Sequence, residues 1–208
     1  MRIFLKLVAL CALGAALGGC ALSSIAGEPA PQIFTLLAPT PAPVASEMNA
    51  SVSAALVVDD FTASAAINSA RIVYQPNPHE LKYFAGARWV DLAPLMVRNL
   101  TVETLENSHR FVSVAARGTG INSDYVIKGD IRQFAAENEA GKMQVRVDIF
   151  LRVVSNLKRN VVAAKDFTAV EPVTASGIAA IVAAYDKALA RNLEAITDWT
   201  AATTSTKE

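Results

Sequence analysis

Two pairs of side chains are the first candidates for chemistry in this chain of 208 residues. Asp59 and Asp60 are adjacent carboxylates at the end of an apolar run. Neighbouring residues of a strand point to opposite faces, so these carboxylates cannot act as a general acid–base pair, and a strand-end turn is the simpler interpretation. His79 and His109 have no second His or Cys at metal-ligand spacing, and we expect both to be exposed at loop edges. The residues therefore predict neither a catalytic nor a metal site.

Glycine motifs of enzymes give no stronger signal. Gly118-Thr119-Gly120 lacks the third glycine of a dinucleotide-binding loop and precedes a strand pattern, so we expect a flexible connection there. The sequence has no Gly-x-Ser-x-Gly elbow, and an envelope hydrolase would lack its nucleophile. The sequence predicts a protein that is not an enzyme and holds no dissociable cofactor.

The N-terminal segment has the pattern of a secretory signal peptide. Two basic residues precede the apolar run 7–17, whose eleven residues are too few to span a bilayer core. A spanning helix needs about 20 residues. The small residues Gly18 and Gly19 stand directly before Cys20, where cleavage is expected. The pattern predicts a signal peptide of residues 1–19.

Cys20 carries the most specific chemistry in the sequence. Leu17-Gly18-Gly19-Cys20 looks like a bacterial lipobox, whose cysteine thiol takes a diacylglyceryl group and whose amine is acylated after cleavage. We therefore expect cleavage between Gly19 and Cys20, then a covalent diacylglycerol and an N-acyl chain on Cys20. An ordinary signal peptide that contains a cysteine is the alternative. Ala21 replaces the Asp that holds such lipoproteins at the inner membrane, which favours the periplasmic face of the outer membrane.

Composition and charge limit the remaining partners. Lys and Arg number 19, as do Asp and Glu, so a nucleic-acid partner, which would require a basic excess, is not expected. An apolar fraction of 52% is too high for a disordered chain. We expect the protein to be attached to a membrane by its lipid and not to cross it.

The chain after the signal peptide divides by composition. Residues 20–51 are rich in Ala, Ser and Pro and predict a tether. Within it, 32–37 forms either a short edge strand docked on the domain or an apolar stop in a disordered segment. Residues 52–202 predict one globular domain, and 203–208 a frayed tail.

The most regular pattern lies at 143–153, where apolar core positions alternate with outward positions over eleven residues. Period-two alternation predicts a long half-buried strand. Strand patterns at 125–132 and 161–170 flank it across polar loops. Together they predict an antiparallel three-strand meander with a charged outer face.

The other elements complete the fold class. Further strand patterns occur at 54–61, 71–74, 80–84 and 110–115. The middle two predict a hairpin around the Pro-rich turn 75–78. Asp91 is a candidate N-cap for a helix that ends near Asn107, with Pro94 in its first turn, and 176–201 predicts an amphipathic helix. The predicted fold is α+β: an antiparallel-rich mixed sheet with a three-strand C-terminal meander, packed by two main amphipathic helices.

The first predicted helix is apolar on two faces. Leu95, Val102 and Leu105 cluster on nearly the opposite side from Met96 and Val97. Either a second layer of the same domain covers the first group, or the group forms an oligomer or partner interface. Leu95, Val102 and Leu105 are therefore the candidate interface residues.

An ordered set of short motifs extends over most of the chain beyond the signal peptide. In chain order these are Cys20, Phe34-Thr35-Leu36-Leu37, Arg71-Ile72-Val73-Tyr74, Leu81-Lys82-Tyr83-Phe84, Arg88-Trp89, Pro94-Leu95, Asp124-Tyr125-Val126-Ile127, and a helix through Asp186-Lys187-Ala188-Leu189 to Trp199. The set resembles the ABC-type transport auxiliary lipoproteins, of which the paraquat-inducible protein C type is representative. Phe34 stands where that family usually has Tyr, and the Ala/Pro stretch at 38–50 is longer than typical.

The resemblance implies a periplasmic accessory of an ABC-type system whose substrate-binding component carries an MCE domain. Such systems move phospholipids or other hydrophobic molecules between the two membranes. The family member docks or stabilises the outer-membrane end of the MCE assembly, and relatives look like homo-oligomers. The residues alone leave a second function open: a periplasmic carrier lipoprotein that encloses an acyl chain, which needs an apolar pocket of roughly 300 Å³.

Overall fold

A mixed β-sheet and two helices form the part of the chain that the computed structural model describes, residues 30–40, 52–120 and 122–205. The strands are β1 (Gln32–Phe34), β2 (Val52–Val58), β3 (Thr62–Ala63), β4 (Arg71–Asn77), β5 (Glu80–Trp89), β6 (Phe111–Ala116), β7 (Tyr125–Glu139), β8 (Lys142–Ser155) and β9 (Val161–Pro172). The helices are α1 (Ala93–Asn107) and α2 (Ile178–Ser205). All of these elements belong to one unit, Gln32–Glu208. The predicted fold class is confirmed.

Strand β7 is the centre of the sheet. One of its edges pairs antiparallel with β8 along nearly the whole strand, from Tyr125 opposite Ser155 to Glu139 opposite Lys142. β8 pairs antiparallel with β9 in turn. The predicted three-strand meander is therefore confirmed, but β7 continues seven residues beyond its predicted end at 132, and β8 and β9 extend by one or two residues.

The other edge of β7 accepts three strands in succession, and all three run parallel to it. Leu56 of β2 lies opposite Tyr125, Thr62 of β3 opposite Asp130, and Tyr74 of β4 opposite Ala136. β6 then pairs parallel with β2, β5 antiparallel with β4, and β1 parallel with β5. The mixed character of the sheet arises from this upstream half.

The alternation in β8 places one row of side chains in the core. Val145, Val147, Ile149, Leu151 and Val153 are each at most 1% exposed. The two helices cover this face: α2 packs on β8, β9 and β2, and α1 packs on β6, β2 and α2. The residues of β8 that alternate with these five lie on the opposite face of the sheet. That face carries the charged side chains of the meander, as predicted.

Proline positions correct the predicted β4–β5 hairpin. Pro76 lies inside β4, not in the turn, which Pro78 and His79 form instead. The β4–β5 register is irregular between Tyr74 and Asn77, so the missing amide of Pro76 falls where the ladder is interrupted.

The ends of both helices differ from the prediction. The N-cap of α1 is Leu92, which has extended backbone and no side-chain cap, and Asp91 accepts a hydrogen bond from the Leu92 amide at 2.7 Å in the preceding turn. Asp91 is thus not the N-cap. α2 begins at Ile178, after Gly177 at φ 94°, and continues to Ser205. The predicted tail is therefore helical through Ser205, because buried Thr204 continues the apolar side of α2, while residues 206–208 lie outside the described part.

Three aromatic rings fill the space between the sheet and α2. Trp89, Phe134 and Tyr185 have ring centroids 4.8–5.9 Å apart, and all three are at most 1% exposed. The Tyr185 hydroxyl donates a hydrogen bond to the Val73 carbonyl at 3.2 Å. Burial raises the pKa of Tyr185 far above its ordinary value, so the phenol stays neutral. The interior is a packed aromatic and aliphatic core.

Candidate functional site

The adjacent carboxylates at the end of β2 have separate partners. Asp59 accepts hydrogen bonds from Arg117 Nη1 at 2.7 Å and from the Asp60 amide at 2.9 Å, and Lys128 Nζ lies 3.1 Å from its other oxygen. Asp60 is exposed and lies 3.4 Å from Arg98. Both carboxylates follow the end of β2 as predicted, but residues 59–61 are irregular and form no turn, and the two carboxylates do not converge on one site.

Asp59 forms a small ion-pair network. Partial burial alone would raise its pKa, but the hydrogen bonds from Arg117, Lys128 and the Asp60 amide outweigh that effect, so the net pKa is lowered. Arg117 follows β6 and Lys128 is in β7. The network therefore links β2 to the strands on either side of it and stabilises the sheet.

Both histidines are exposed, as predicted. His79 lies in the β4–β5 turn, and His109 follows α1 with a left-handed φ of 52°. Among the described residues, no group of three or more His, Cys, Asp or Glu side chains is placed to hold a metal ion.

The N-terminal entry to the domain is held by three successive contacts. β1 adds to the edge of β5, and Leu36 beyond it is 2% exposed in the core. The amide of Leu37 then donates a hydrogen bond to Asp186 Oδ1 of α2 at 3.0 Å. Desolvation raises the pKa of Asp186, and the hydrogen bond from Leu37 only partly offsets it. The chain is therefore fixed to the domain soon after the first described residues, whereas Gly19 and Cys20 lie outside them.

The three candidate interface residues of α1 are not equally available. Leu105 is 1% exposed in the core, whereas Leu95 and Val102 are half-buried. Val102 packs against the core from its edge, and Leu95 lines a shallow hollow with Phe61 and Leu92. α1 packs against both β6 and α2, and Leu105 is buried within the domain. Leu105 therefore cannot take part in an interface.

The turn between β8 and β9 and the start of β9 carry exposed apolar side chains, of which Leu157 was predicted to lie in a polar loop and Val161 and Val162 in a strand. We call residues 156–162 the hairpin tip. Leu157 is 89% exposed, Val161 53% and Val162 39%. Beside the tip is an open groove of about 590 Å³, whose walls include Tyr125, Leu157, Val162 and Thr203. In the sequence, the exposed apolar tip is indicated by Leu157 in the turn followed by Val161-Val162.

The groove is open to solvent and has a mixed polar and apolar lining. Its lining includes the polar residues Asn122, Ser123, Asp124, Ser155, Asn156 and Lys158. Asp124 Oδ2 accepts a hydrogen bond from the Ala55 amide at 2.8 Å, and Asn156 Nδ2 donates to the Ser123 carbonyl at 2.9 Å. These contacts close the end of the sheet around β2, β7 and β8. The groove is a surface feature over hydrogen-bonded backbone.

The outer face of the meander presents mixed charge. The guanidinium groups of Arg132, from β7, and Arg152, from β8 itself, lie 4.2 and 4.3 Å from the ring centroid of Phe150. Arg132 also donates to Asp166 of β9. Arg146 Nε and Gln144 Nε2 both donate to Glu137 Oε1, at 3.0 and 2.7 Å. Paired charges of this kind form a hydrated face.

Within the described ranges, none of the helices is both long enough and apolar enough to cross a membrane.

Comparison with known proteins identifies the family. Residues 34–197 match the model of the family described as the ABC-type transport auxiliary lipoprotein component. The match covers most of the chain and includes every described element from β2 to most of α2. The chain belongs to this family of transport auxiliary lipoproteins.

Individual relatives support the fold. The chain is similar to protein XCC0632 from Xanthomonas campestris, at 28% identity and a TM-score of 0.75 over 83% of this chain and 96% of that structure. It is also similar to protein CT253 from Chlamydia trachomatis, at 7% identity and a TM-score of 0.55 over 74% and 99% of the two chains, which concerns the fold alone. An uncharacterised protein, bll6063, from Bradyrhizobium diazoefficiens is 29% identical over 155 residues, which are 72% of this chain. The chain spans about 40% of the length of that curated relative.

Proposed function

We propose that the protein is a non-catalytic docking component of an MCE-type ABC system that transports lipid between the inner and outer membranes. The observation that carries this proposal is the family match over residues 34–197, preceded in the sequence by the lipobox at Cys20. The transporter connection follows from the family. The more specific inference, that the partner carries an MCE domain, comes from the resemblance described above.

The proposed location is the periplasmic face of the outer membrane. Cleavage between Gly19 and Cys20 would leave Cys20 as the first residue, with a diacylglyceryl group on its thiol and an N-acyl chain such as palmitate on its amine. Burying several acyl chains at about 0.8 kcal/mol per methylene holds a protein on a membrane durably. Ala21 in place of Asp supports transport beyond the inner membrane.

Docking is favoured over carrying because side chains occupy the space where a carrier would hold lipid. Trp89, Phe134 and Tyr185 fill the region between β7 and α2 with rings in mutual contact. An acyl chain there would have to displace this core, at the cost of the packing that stabilises the domain. The carrier function is the alternative that the experiment below excludes or revives.

The proposed binding surface includes Leu95 and Val102 on α1, which remain partly accessible, with homo-oligomerisation as a further use of the same side. Leu105 supports them from the core and is not part of the surface. A half-buried apolar pair at the rim of a helix layer is a modest surface, so several copies in a ring would multiply its contact area.

Isolation of the tagged chain from its native envelope in mild detergent tests the function. We expect an MCE-domain protein to co-purify, and native mass spectrometry to give a multiple of the protein mass without one phospholipid per chain. Val102→Arg should reduce co-purification, whereas Glu103→Arg, at the exposed neighbouring position, should not. Stoichiometric lipid and no MCE partner would replace the docking function with the carrier function.

A further inference from the structure

The hairpin tip combines a projecting apolar side chain with exposed cations. Leu157 is 89% exposed at the turn, and Lys158 and Arg159 follow it directly, both exposed. Val161 is 53% exposed at the start of β9. An apolar side chain beside long basic ones is the composition that enters the boundary between headgroups and acyl chains, because the basic heads reach the phosphates while the apolar group is buried.

The charged residues nearest the hairpin tip are basic, whereas the acidic residues of β8 and β9 lie farther along the strands. Residues 152–165 include Arg152, Lys158, Arg159 and Lys165 and no acidic residue, in a chain whose formal net charge is zero. Asp124 lies in the adjoining groove, so the four cations of this stretch outnumber the acidic side chains beside it. The tip therefore matches an anionic surface.

Hydrogen bonds within the turn hold the tip in one conformation. The Arg159 amide donates to the Ser155 carbonyl at 2.9 Å, and the Ser155 amide donates to the Asn160 carbonyl at 2.9 Å. The Lys158 amide donates to Ser155 Oγ at 3.2 Å. Leu157 thus projects from a turn that is already formed, and no ordering cost of the backbone opposes its burial.

The shape of the tip favours a bilayer over a protein as the occupant. A stable protein interface buries about 1,200–2,000 Å² in total, which a single convex turn with one prominent side chain does not supply. A bilayer surface needs no complementary shape, and insertion of about 5–10 Å suffices for contact with its apolar layer.

We propose that the hairpin tip inserts Leu157 into the surface of a bilayer that contains anionic phospholipid, with Arg159 at the level of the phosphates. The inference rests on the proposed membrane location and is independent of the MCE partner. Since a lipid on Cys20 holds the chain at one point, this second contact would determine which end of the domain faces the membrane.

Site-specific fluorescence tests the proposal. Cys11 and Cys20 are the only cysteines of the sequence, so Leu157→Cys adds a thiol that can be labelled with a polarity-sensitive fluorophore in the mature protein. The purified full-length mature chain is mixed with phosphatidylethanolamine vesicles with or without phosphatidylglycerol. We expect a blue-shifted emission that nitroxide lipids quench, in the anionic vesicles and much less in the neutral ones.

Two matched variants separate insertion from simple proximity. His79→Cys places the same label in the β4–β5 turn, at the far end of β7, roughly 45 Å away along an extended strand of this length. That label should be neither shifted nor quenched. Arg159→Asn removes one cation and keeps a residue that tolerates the φ of 54°, and it should weaken insertion of the Leu157→Cys label about fivefold.

The results of these experiments test membrane insertion of the hairpin tip and no other part of the proposal. No shift at position 157 in anionic vesicles overturns the proposal, as does equal quenching at positions 157 and 79. A shift on adding a purified protein partner, with none on adding vesicles, also overturns it in favour of a protein interface. The unsubstituted chain treated with the same fluorophore gives the background signal. Vesicle flotation measures membrane attachment through Cys20 separately, so a failure of the lipoprotein proposal can be distinguished from a failure of tip insertion.

Discussion

Asp186 of α2 accepts a hydrogen bond from the backbone amide of Leu37 at 3.0 Å, across 149 residues of sequence. This contact follows β1 and the buried side chain of Leu36, so three successive features fix the N-terminal entry of the domain. A pull from a lipid anchor upstream would first reach β1, and Leu36 and the Leu37–Asp186 contact would hold the chain behind it.

The Asp186 contact gives a prediction with a defined sign. Desolvation raises the pKa of Asp186 in the folded state, so the folded chain binds this proton more readily than the unfolded chain, and stability decreases as the pH rises from the ordinary value through the folded pKa. Asp186→Asn keeps an acceptor for Leu37 without the charge and should equal or exceed the parent in stability at pH 7. Asp186→Ala should lose about 1 kcal/mol. Urea unfolding at pH 5 and pH 7 measures both, and an Asn variant less stable than the Ala variant would contradict this assignment.

The opposite sign is expected for Asp59. Its net pKa is lowered, so the stabilisation is present above the ordinary carboxyl pKa and is lost as the pH falls through the folded value. Asp59→Asn should cost about 1–2 kcal/mol at neutral pH, an amount limited by the exposure of Arg117 and Lys128. Asp60→Asn, with a side chain that is 68% exposed, is the matched control and should be nearly neutral. Equal losses in thermal unfolding would show that the network contributes nothing.

Because Val147 and Gln144 lie on opposite faces of β8, we expect charged substitutions at the two positions to differ greatly in their effect on stability. Val147 is 0% exposed, so Val147→Asp buries an unpaired charge and should cost about 3–5 kcal/mol. Gln144 lies at the outer face beside Glu137, and Gln144→Lys should be tolerated because the ammonium can pair with that carboxylate. The two melting temperatures compare them directly, and equal values would place the strand on the wrong face.

Gly129 predicts a steric test of the core. A Cβ at this position would lie 2.6 Å from the ring of Phe61, which is 7% exposed. Gly129→Ala should therefore destabilise the domain by about 1–3 kcal/mol through overpacking. Phe61→Leu should restore part of the loss in the double variant, and a purely additive double-mutant cycle would argue against direct contact.

Cys20 provides the test of attachment. Cys20→Ser should abolish acylation and cleavage, leaving an unprocessed precursor, because the lipid is added to the thiol. Membrane fractionation and the mass of the N-terminal peptide report the two effects. Maturation of the parent that is insensitive to globomycin, or a mature chain with an unmodified N-terminus free in the periplasm, would contradict the lipoprotein assignment.

The sequence predicted the elements whose signal is local. The strict alternation of Val145, Val147 and Ile149 identifies both the strand and its buried face, because a half-buried strand repeats every two residues. The end of α1 at Asn107 was also predicted, but its start was not. Asp91 resembles an N-cap by type, while the backbone turns one residue later, at Leu92.

Long-range relationships were missed for a physical reason. Asp59 meets Arg117 and Lys128 only because β6 and β7 both lie beside β2, and no spacing in the sequence encodes that order. The burial of Leu105 depends likewise on where α2 packs. Leu157 was treated as part of a polar loop, since its exposure is a property of the turn and not of its neighbours in sequence.

The placement of β2, β3 and β4 end to end along one edge of β7 has a consequence for biosynthesis. Residues 52–77 cannot form this arrangement until residues 125–139, which form β7, have been made. The other edge of β7 pairs with β8, which comes later still. Pairings this distant in sequence form slowly. The β4–β5 hairpin and the β2–β6 pair can therefore form early, but they join into one sheet only when β7 is present, so we expect the complete sheet to form late, after the whole domain has been made.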